Sequence, residues 1–152
     1  MTTRVNGLAE IAALAGRDLG HTDWLEITQD RVNLFAEATN DHQWIHVDVE
    51  RARSGPFGRP IAHGYLTLSL LIPLFSELLE IRGVRMSLNY GLEKVRFPSP
   101  VPVGAKIRLA ATVVSVEEVA GNGVQMLLGC TVEVDGSNKP ACVAQGVYRH
   151  YA

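Results

Sequence analysis

From residue 124 to residue 134 every second position is apolar: Val124, Met126, Leu128, Cys130, Val132 and Val134 share one parity. Successive side chains of a strand point to opposite faces, so this run specifies a strand with one buried face. Ile107, Leu109, Ala111 and Val113 repeat the pattern upstream. Gly121-Asn122-Gly123 and Asp135-Gly136-Ser137-Asn138 follow the two runs as hairpin turn signals. A sheet with one apolar face must lie against something apolar. Residues 62 to about 80 supply it, being apolar on nearly every side of a helical projection, as in a helix wrapped by other structure. Pro73 should kink that helix or fall where a backbone donor is dispensable, and Gly83 fits its exit. The order is one strand, then helices, then about four strands. That is an α+β chain, with a long central helix inside a curved, mainly antiparallel sheet. No repeat, low-complexity tract or linker divides residues 1–152, which read as a single domain.

The first half carries helical spacing. Leu8, Ile11, Ala12 and Ala15 make a short amphipathic element ended by Gly16, so residues 1–20 read as an N-terminal helical extension. Trp24-Leu25-Glu26-Ile27 looks like a strand. Thr28 can cap the next helix, whose buried stripe is Val32, Phe35 and Ala36. That helix should end near Thr39-Asn40, which leaves Asp41 to His46 in the connection after it. Asp48 can cap a short turn over Val49–Arg53, and residues 54–60 form a loop by their Gly and Pro content.

Composition excludes some partners. A net charge of −2, with scattered basic residues, gives no electrostatic reason to bind nucleic acid or an anionic membrane. Residues 66–75 are too short an apolar run, and too soon followed by Glu77 and Glu80, to span a bilayer. Residues 1–20 lack the pattern of a secretory leader, so a cytoplasmic protein is expected. Cys130 and Cys142 lie in strand-like runs and read as two buried thiols, with no spacing suggestive of zinc.

The chemistry-bearing residues sit between the two halves. Asp41 and His46 are five positions apart, and Ile61-Ala62-His63-Gly64 opens the apolar helix. A free Asp titrates near about 4 and a free His near about 6.5, so the pair starts as a carboxylate and a mostly neutral imidazole able to hold and deprotonate a water. The unpaired amide N–H groups of a helix start, with Gly64 permitting close approach, can stabilise an oxyanion. Each residue also has a plainer reading. Asp41 could make an Asx-turn, His46 could be a core histidine bonded to backbone, and Gly64 and His63 could serve tight packing and a structural hydrogen bond. His42 and His46 are four apart, but no HExxH pattern is present and no metal is expected. Tyr65, Leu68 and Phe75 suit a core before an acyl-binding wall. Trp44 suits a pocket lining or a lid contact, with Tyr65 and the loop residue Phe57 as further candidates for the lining.

These motifs together resemble the MaoC-like dehydratase family, also called hydratase 2, of the hot-dog fold. The segment Asn40-Asp41-His42-Gln43-Trp44-Ile45-His46-Val47-Asp48, then Ala52, then Gly58-Arg59-Pro60-Ile61-Ala62-His63-Gly64, is similar to the family pattern in content and spacing. The stretch from Val95 to Gly104 is similar to the strand–turn–strand that follows the family's central helix, and the resemblance spans residues 24–148. Gln43, Trp44 and Asn40 stand where the family usually has Asn, Pro and Gly. The His-Gln-Trp-Ile-His form resembles a bacterial subgroup of single hot-dog chains labelled nodulation-protein-N-like. The resemblance implies reversible hydration of a trans-2-enoyl-CoA to the (R)-3-hydroxyacyl-CoA. Asp41 would be the base and His46 would orient the water, with Gly64 N–H and His63 beside the thioester oxygen. A Ser farther along the helix supports the Asp in some relatives, and Ser69 is the candidate here. No cofactor is implied, the CoA thioester being substrate. An acyl-carrier protein is an alternative carrier, and a homodimer is the family expectation. A hot-dog thioesterase and a non-catalytic acyl-thioester binding module are the competing readings.

Overall fold

A computed structural model describes residues 1–152. Strands β1 (Thr3–Asn6), β2 (Asp18–His21) and β3 (Leu25–Glu26) surround α1 (Leu8–Ala12). Three helices follow before the central pair: α2 (Gln29–Thr39), α3 (Trp44–Val47) and α4 (Val49–Arg53) lead into α5 (Gly64–Ser69) and α6 (Leu71–Leu78). The chain ends in β4 (Leu79–Arg82), β5 (Met86–Arg96), β6 (Lys106–Val119), β7 (Gly123–Val134) and β8 (Cys142–Tyr151). The main sheet runs β2-β6-β7-β8-β5, with β3 also beside β6, and every pairing in it is antiparallel.

The alternating runs do what their parity requires. Ile107, Leu109, Ala111 and Val113 face Val134, Val132, Cys130 and Leu128 across β6 and β7, and all eight are buried. Each such side chain, fully buried, contributes about 1.5–3 kcal/mol relative to exposure. The pairing slips between Val113 and Ser115, so Val114 has no partner of its own. This β-bulge shifts the parity of β6 and returns Val116, opposite Met126, to the buried side. Burial pushes the thiols of Cys130 and Cys142 up, to about 12 and about 11, and both cysteines are free.

The central helix departs from expectation. It is two pieces, joined at Leu70 with φ −73° and ψ −9°. Pro73 accounts for the break: it has no N–H for the Ser69 carbonyl one turn back, and its ring crowds that same oxygen. Pro73 thereby occupies the first turn of α6, where a donor is dispensable. Leu71, Leu74, Phe75 and Leu78 of α6 are buried against the sheet. The helix also stops earlier than residue 80, because Leu79–Arg82 forms β4 and pairs in parallel with β1, with Arg4 to Glu80 at 2.8 Å. Residues 1–20 are correspondingly not a helical extension. Only Leu8–Ala12 is helical, and Val5, Ile11, Leu14 and Leu19 belong to the main core cluster. No helix is long and apolar enough to cross a membrane.

Candidate active site

Thr28 caps α2 by accepting the Arg31 N–H at 3.2 Å, and Asn40 ends the helix in the left-handed region at φ 59°. The chain therefore reverses just before Asp41. The connection expected up to His46 is shorter than that, since Trp44–Val47 is the helix α3 and carries His46 in its last turn. Asp48 then caps α4 by accepting the Arg51 N–H at 3.1 Å. Gln29 ties α2 to α3, donating to Asn33 Oδ1 and to the His46 carbonyl, both at 2.9 Å. The segment before α5 is fastened to the same place. Ile61 N–H donates to the Ile45 carbonyl at 3.0 Å, and Ala62 N–H donates to the Val101 carbonyl at 2.8 Å.

Two main-chain carbonyls set the histidine tautomers. His46 Nδ1 lies 2.6 Å from the Ile61 carbonyl, which can only accept, so Nδ1 carries the proton and Nε2 is left as an acceptor. Burial holds the His46 imidazole below its ordinary value, against the opposing pull of that carbonyl, so the ring is neutral at pH 7. His63 Nε2 donates in the same way to the Asp41 carbonyl at 3.0 Å. Its Nδ1 is then a lone pair, buried and without a partner. The two rings stack at 3.9 Å and 23°, and Phe35 covers the other side of His63 at 4.9 Å.

The result is a convergence of three functional atoms. A carboxylate oxygen of Asp41 and one ring nitrogen each of His46 and His63 lie within 4.8 Å of one another. One water bridges such a gap with two hydrogen bonds of about 2.8 Å each. Stacked imidazoles direct their lone pairs along nearly parallel planes, which is a poor arrangement for two ligands of one ion. Asp41 itself is exposed, and its Asx-turn bond to Gln43 N–H is long at 3.5 Å, so its carboxylate is not tied down locally.

Beside this cluster lies a cleft of about 340 Å³, lined by His46, Phe57, Gly64, Thr67, Phe97 and Val101 among others. The Phe97 ring lies flat on Gly64: a Cβ there would meet three ring atoms at 3.3 Å. Glycine is thus what lets the aromatic wall close on the helix start, whose Gly64 N–H has no partner in the chain.

Of the expected site residues, the structure brings Asp41, His46 and His63 together and puts Gly64 and Phe57 on the cleft. Trp44, Tyr65 and Ser69 lie elsewhere. The His63 ring, 2% exposed, holds the Asp41 main chain and is absent from the cleft wall. Trp44 packs on Gly55 and under the Arg51 guanidinium at 4.3 Å, which makes it a loop clamp. Tyr65 is 71% exposed, neither core nor cleft, and meets Phe97 only edge-on at 6.3 Å. Ser69 donates to the Tyr65 carbonyl one turn back at 2.7 Å, a bond within its own helix. Phe35, Thr67 and Phe97 were not among the candidates. Phe97 had a signal, an aromatic just after β5 and before a Pro-rich turn, whereas Thr67 looks like any polar helix residue.

Known proteins share this arrangement of elements. The family described as MaoC like domain matches residues 10–134. The chain is 54% identical over 145 residues to a Mycobacterium tuberculosis protein named 3-hydroxyacyl-thioester dehydratase Z, covering 95% of this chain and 96% of that one. It is 45% identical over 145 residues to nodulation protein N of Rhizobium leguminosarum bv. viciae, covering 92% and 88%. Among solved structures, one titled as a monoamine oxidase regulatory protein from Archaeoglobus superposes with a TM-score of 0.79 at 23% identity, covering 97% of both chains. The curved antiparallel sheet around a central helix is the hot-dog fold, and the chain belongs to the MaoC-like domain family.

Proposed function

We propose that this protein catalyses the reversible, (R)-specific addition of water to trans-2-enoyl thioesters, giving 3-hydroxyacyl thioesters. The observation that carries this reading is the convergence of the Asp41 carboxylate and the His46 imidazole beside a cleft that opens on an unpaired helix-start N–H. The name of the 54% identical relative supports the same reaction in the dehydrating direction. His46 Nε2 and Asp41 are both acceptors, so a water between them directs its two hydrogens at the enzyme and an oxygen lone pair at C3. As the O–C3 bond forms, the C2=C3 π electrons move toward the thioester oxygen, where Gly64 N–H stabilises the enolate. Asp41 takes one proton from the water and then passes that proton to C2, so H and OH have added and the enzyme is unchanged. His63 acts through Asp41 and His46 as a positioning residue. Proton transfer is the only chemistry this scheme requires, and the CoA or acyl-carrier-protein thioester enters as substrate. The buried free thiols suit a reducing compartment such as the cytoplasm.

We also propose a homodimer formed along β5. It is the outer strand of the main sheet, exposed along nearly its whole length, and Met86, Leu88, Tyr90 and Leu92 are exposed on it. An open edge of this kind is a template for pairing with a second strand.

The deciding assay mixes purified protein with crotonyl-CoA and follows both the conjugated thioester absorbance and free thiol. Absorbance loss without thiol is the expected result. Thiol release identifies a thioesterase, and no change in either with crotonyl-CoA or with a longer 2-enoyl-CoA identifies a binding module. Asp41→Asn, which keeps the shape and removes the base, should lower kcat by at least about 100-fold with an unchanged fold. Near-normal turnover in that variant rejects Asp41 as the base.

A further inference from the structure

Four serine or threonine hydroxyls lie within helices, those of Thr39, Thr67, Ser69 and Ser76. Three of them bond back to the carbonyl one turn earlier. Thr39 donates to Phe35 at 2.7 Å, Ser69 to Tyr65 at 2.7 Å and Ser76 to Ile72 at 2.9 Å. Thr67 does not, and the reason is local. The carbonyl it would use, that of His63, already accepts the Leu66 N–H at 3.1 Å and the Thr67 N–H at 3.3 Å, which occupies both lone pairs. The Thr67 hydroxyl therefore has no partner in the chain, although the residue is only 2% exposed.

That hydroxyl is not sealed in. The buried side-chain polar atoms left without a partner are His63 Nδ1 and His150 Nε2. An unpartnered Thr67 oxygen outside that pair keeps accessible surface, so the small exposed part of Thr67 includes its hydroxyl. The space Thr67 borders is the active-site cleft, whose wall it shares with His46 and Gly64. Residues three apart stand on one face of a helix, and helical side chains lean toward the N-terminus. Thr67 accordingly leans over Gly64, which has no side chain to stand between the hydroxyl and the cleft.

We propose that the Thr67 hydroxyl is a catalytic residue, the second donor to the thioester oxygen beside the Gly64 N–H. This role rests on the hydratase reading. Tyr65 N–H is the other unpaired amide of that turn, but Tyr65 does not line the cleft. An acyl oxygen has two lone pairs, and one amide meets only one of them. Charge collects on this oxygen as the enolate forms, so a second fixed donor acts most strongly in the transition state. The hydroxyl keeps its proton throughout, and C2 still receives the proton that Asp41 took from water.

The test uses the purified full-length protein with Thr67→Val, which replaces the hydroxyl by a methyl of the same shape, and Thr67→Ser, which keeps it. Thr67→Ala also removes the hydroxyl and has the higher helix propensity, so it serves if the valine variant does not fold. Loss of the hydroxyl should lower kcat for crotonyl-CoA by about 100-fold with KM changed less than about threefold, and Thr67→Ser should restore most of the rate. A packing role would not move the second readout, the infrared carbonyl stretch of carbonyl-¹³C crotonyl-CoA bound to Asp41→Asn. The stretch should lie below its value in water and return toward it when Thr67→Val is added. Near-parental kcat without the hydroxyl, or a carbonyl stretch indifferent to it, overturns the proposal and leaves the hydratase reading standing on the parent's activity. A parent that hydrates no 2-enoyl-CoA rejects that reading instead. The carbonyl stretch then decides alone: dependence on Thr67 keeps it as the donor to a bound thioester, and independence overturns it.

Discussion

At the scale of single residues, the site depends on two carbonyl oxygens as much as on its acid and base. Ile61 and Asp41 each offer an acceptor to one ring nitrogen, and each thereby decides where the other nitrogen's lone pair is left. The burial that keeps His46 and His150 neutral has a consequence for stability. Both native imidazoles titrate below the unfolded value of about 6.5, so as pH falls past 6.5 the unfolded chain takes up protons that the fold refuses. Stability should therefore be flat above about pH 7, decline as pH falls below about 6.5, and stop declining on this account below the native values. Thermal midpoints at about pH 7.5 and 5.5 check the sign, and His150→Gln should flatten the slope. A midpoint that rises on acidification contradicts it. Gly64→Ala separates packing from propensity. Alanine is favoured in a helix over glycine by up to about 1 kcal/mol, but its Cβ would stand 3.3 Å from the Phe97 ring. The expected outcome is a thermal midpoint within a few degrees of the parent and a fall of about tenfold in kcat/KM as Phe97 is pushed across the cleft. The meeting of Asp41 and His46 was foreshadowed in the sequence by the helix start that follows them and by the family resemblance, since their spacing alone suits a turn and a core histidine equally well. His63, expected beside the thioester oxygen, turns its ring onto the main chain of Asp41 and so joins the Asp41–His46 cluster.

At the scale of elements, what could be read beforehand was whatever depended on period. The parity of β6 and β7, the cap at Thr28 and the cap at Asp48 are local and appear as expected. The parallel β1–β4 pair was not legible, since Leu79–Arg82 continues the apolar helix in composition and its partner lies about 76 residues away in sequence. A strand pairing of that separation is decided by tertiary packing. The junction at Leu70 was foreshadowed by Pro73, but its position three residues earlier follows from the Ser69 carbonyl. The cap on α2 has a reach beyond its helix, because Gln29, the next residue, carries the link to α3. Thr28→Ala should cost about 1 kcal/mol in chemical denaturation. It should also raise KM or lower kcat modestly through the loosened α2–α3 contact, and a variant with parental stability shows the cap to be idle.

At the scale of the whole molecule, the arrangement is asymmetric: one edge of the sheet is shielded by β2 and β3, and the other, β5, is bare. If β5 is a subunit seam, sedimentation should show a species of about twice 16.6 kDa, and Leu88→Lys with Leu92→Lys should reduce it to a monomer. A parent that sediments as a monomer at all concentrations rejects the seam. The bulge at Val114 gives the sheet a property of a different kind. It acts as a frame shift written into β6: upstream and downstream halves are in opposite phase, and a single extra residue reconciles them. Exchanging Val114 for another side chain leaves that phase alone, but deleting it would turn one half inside out. Family members should therefore tolerate many identities at this position and very few changes in its length.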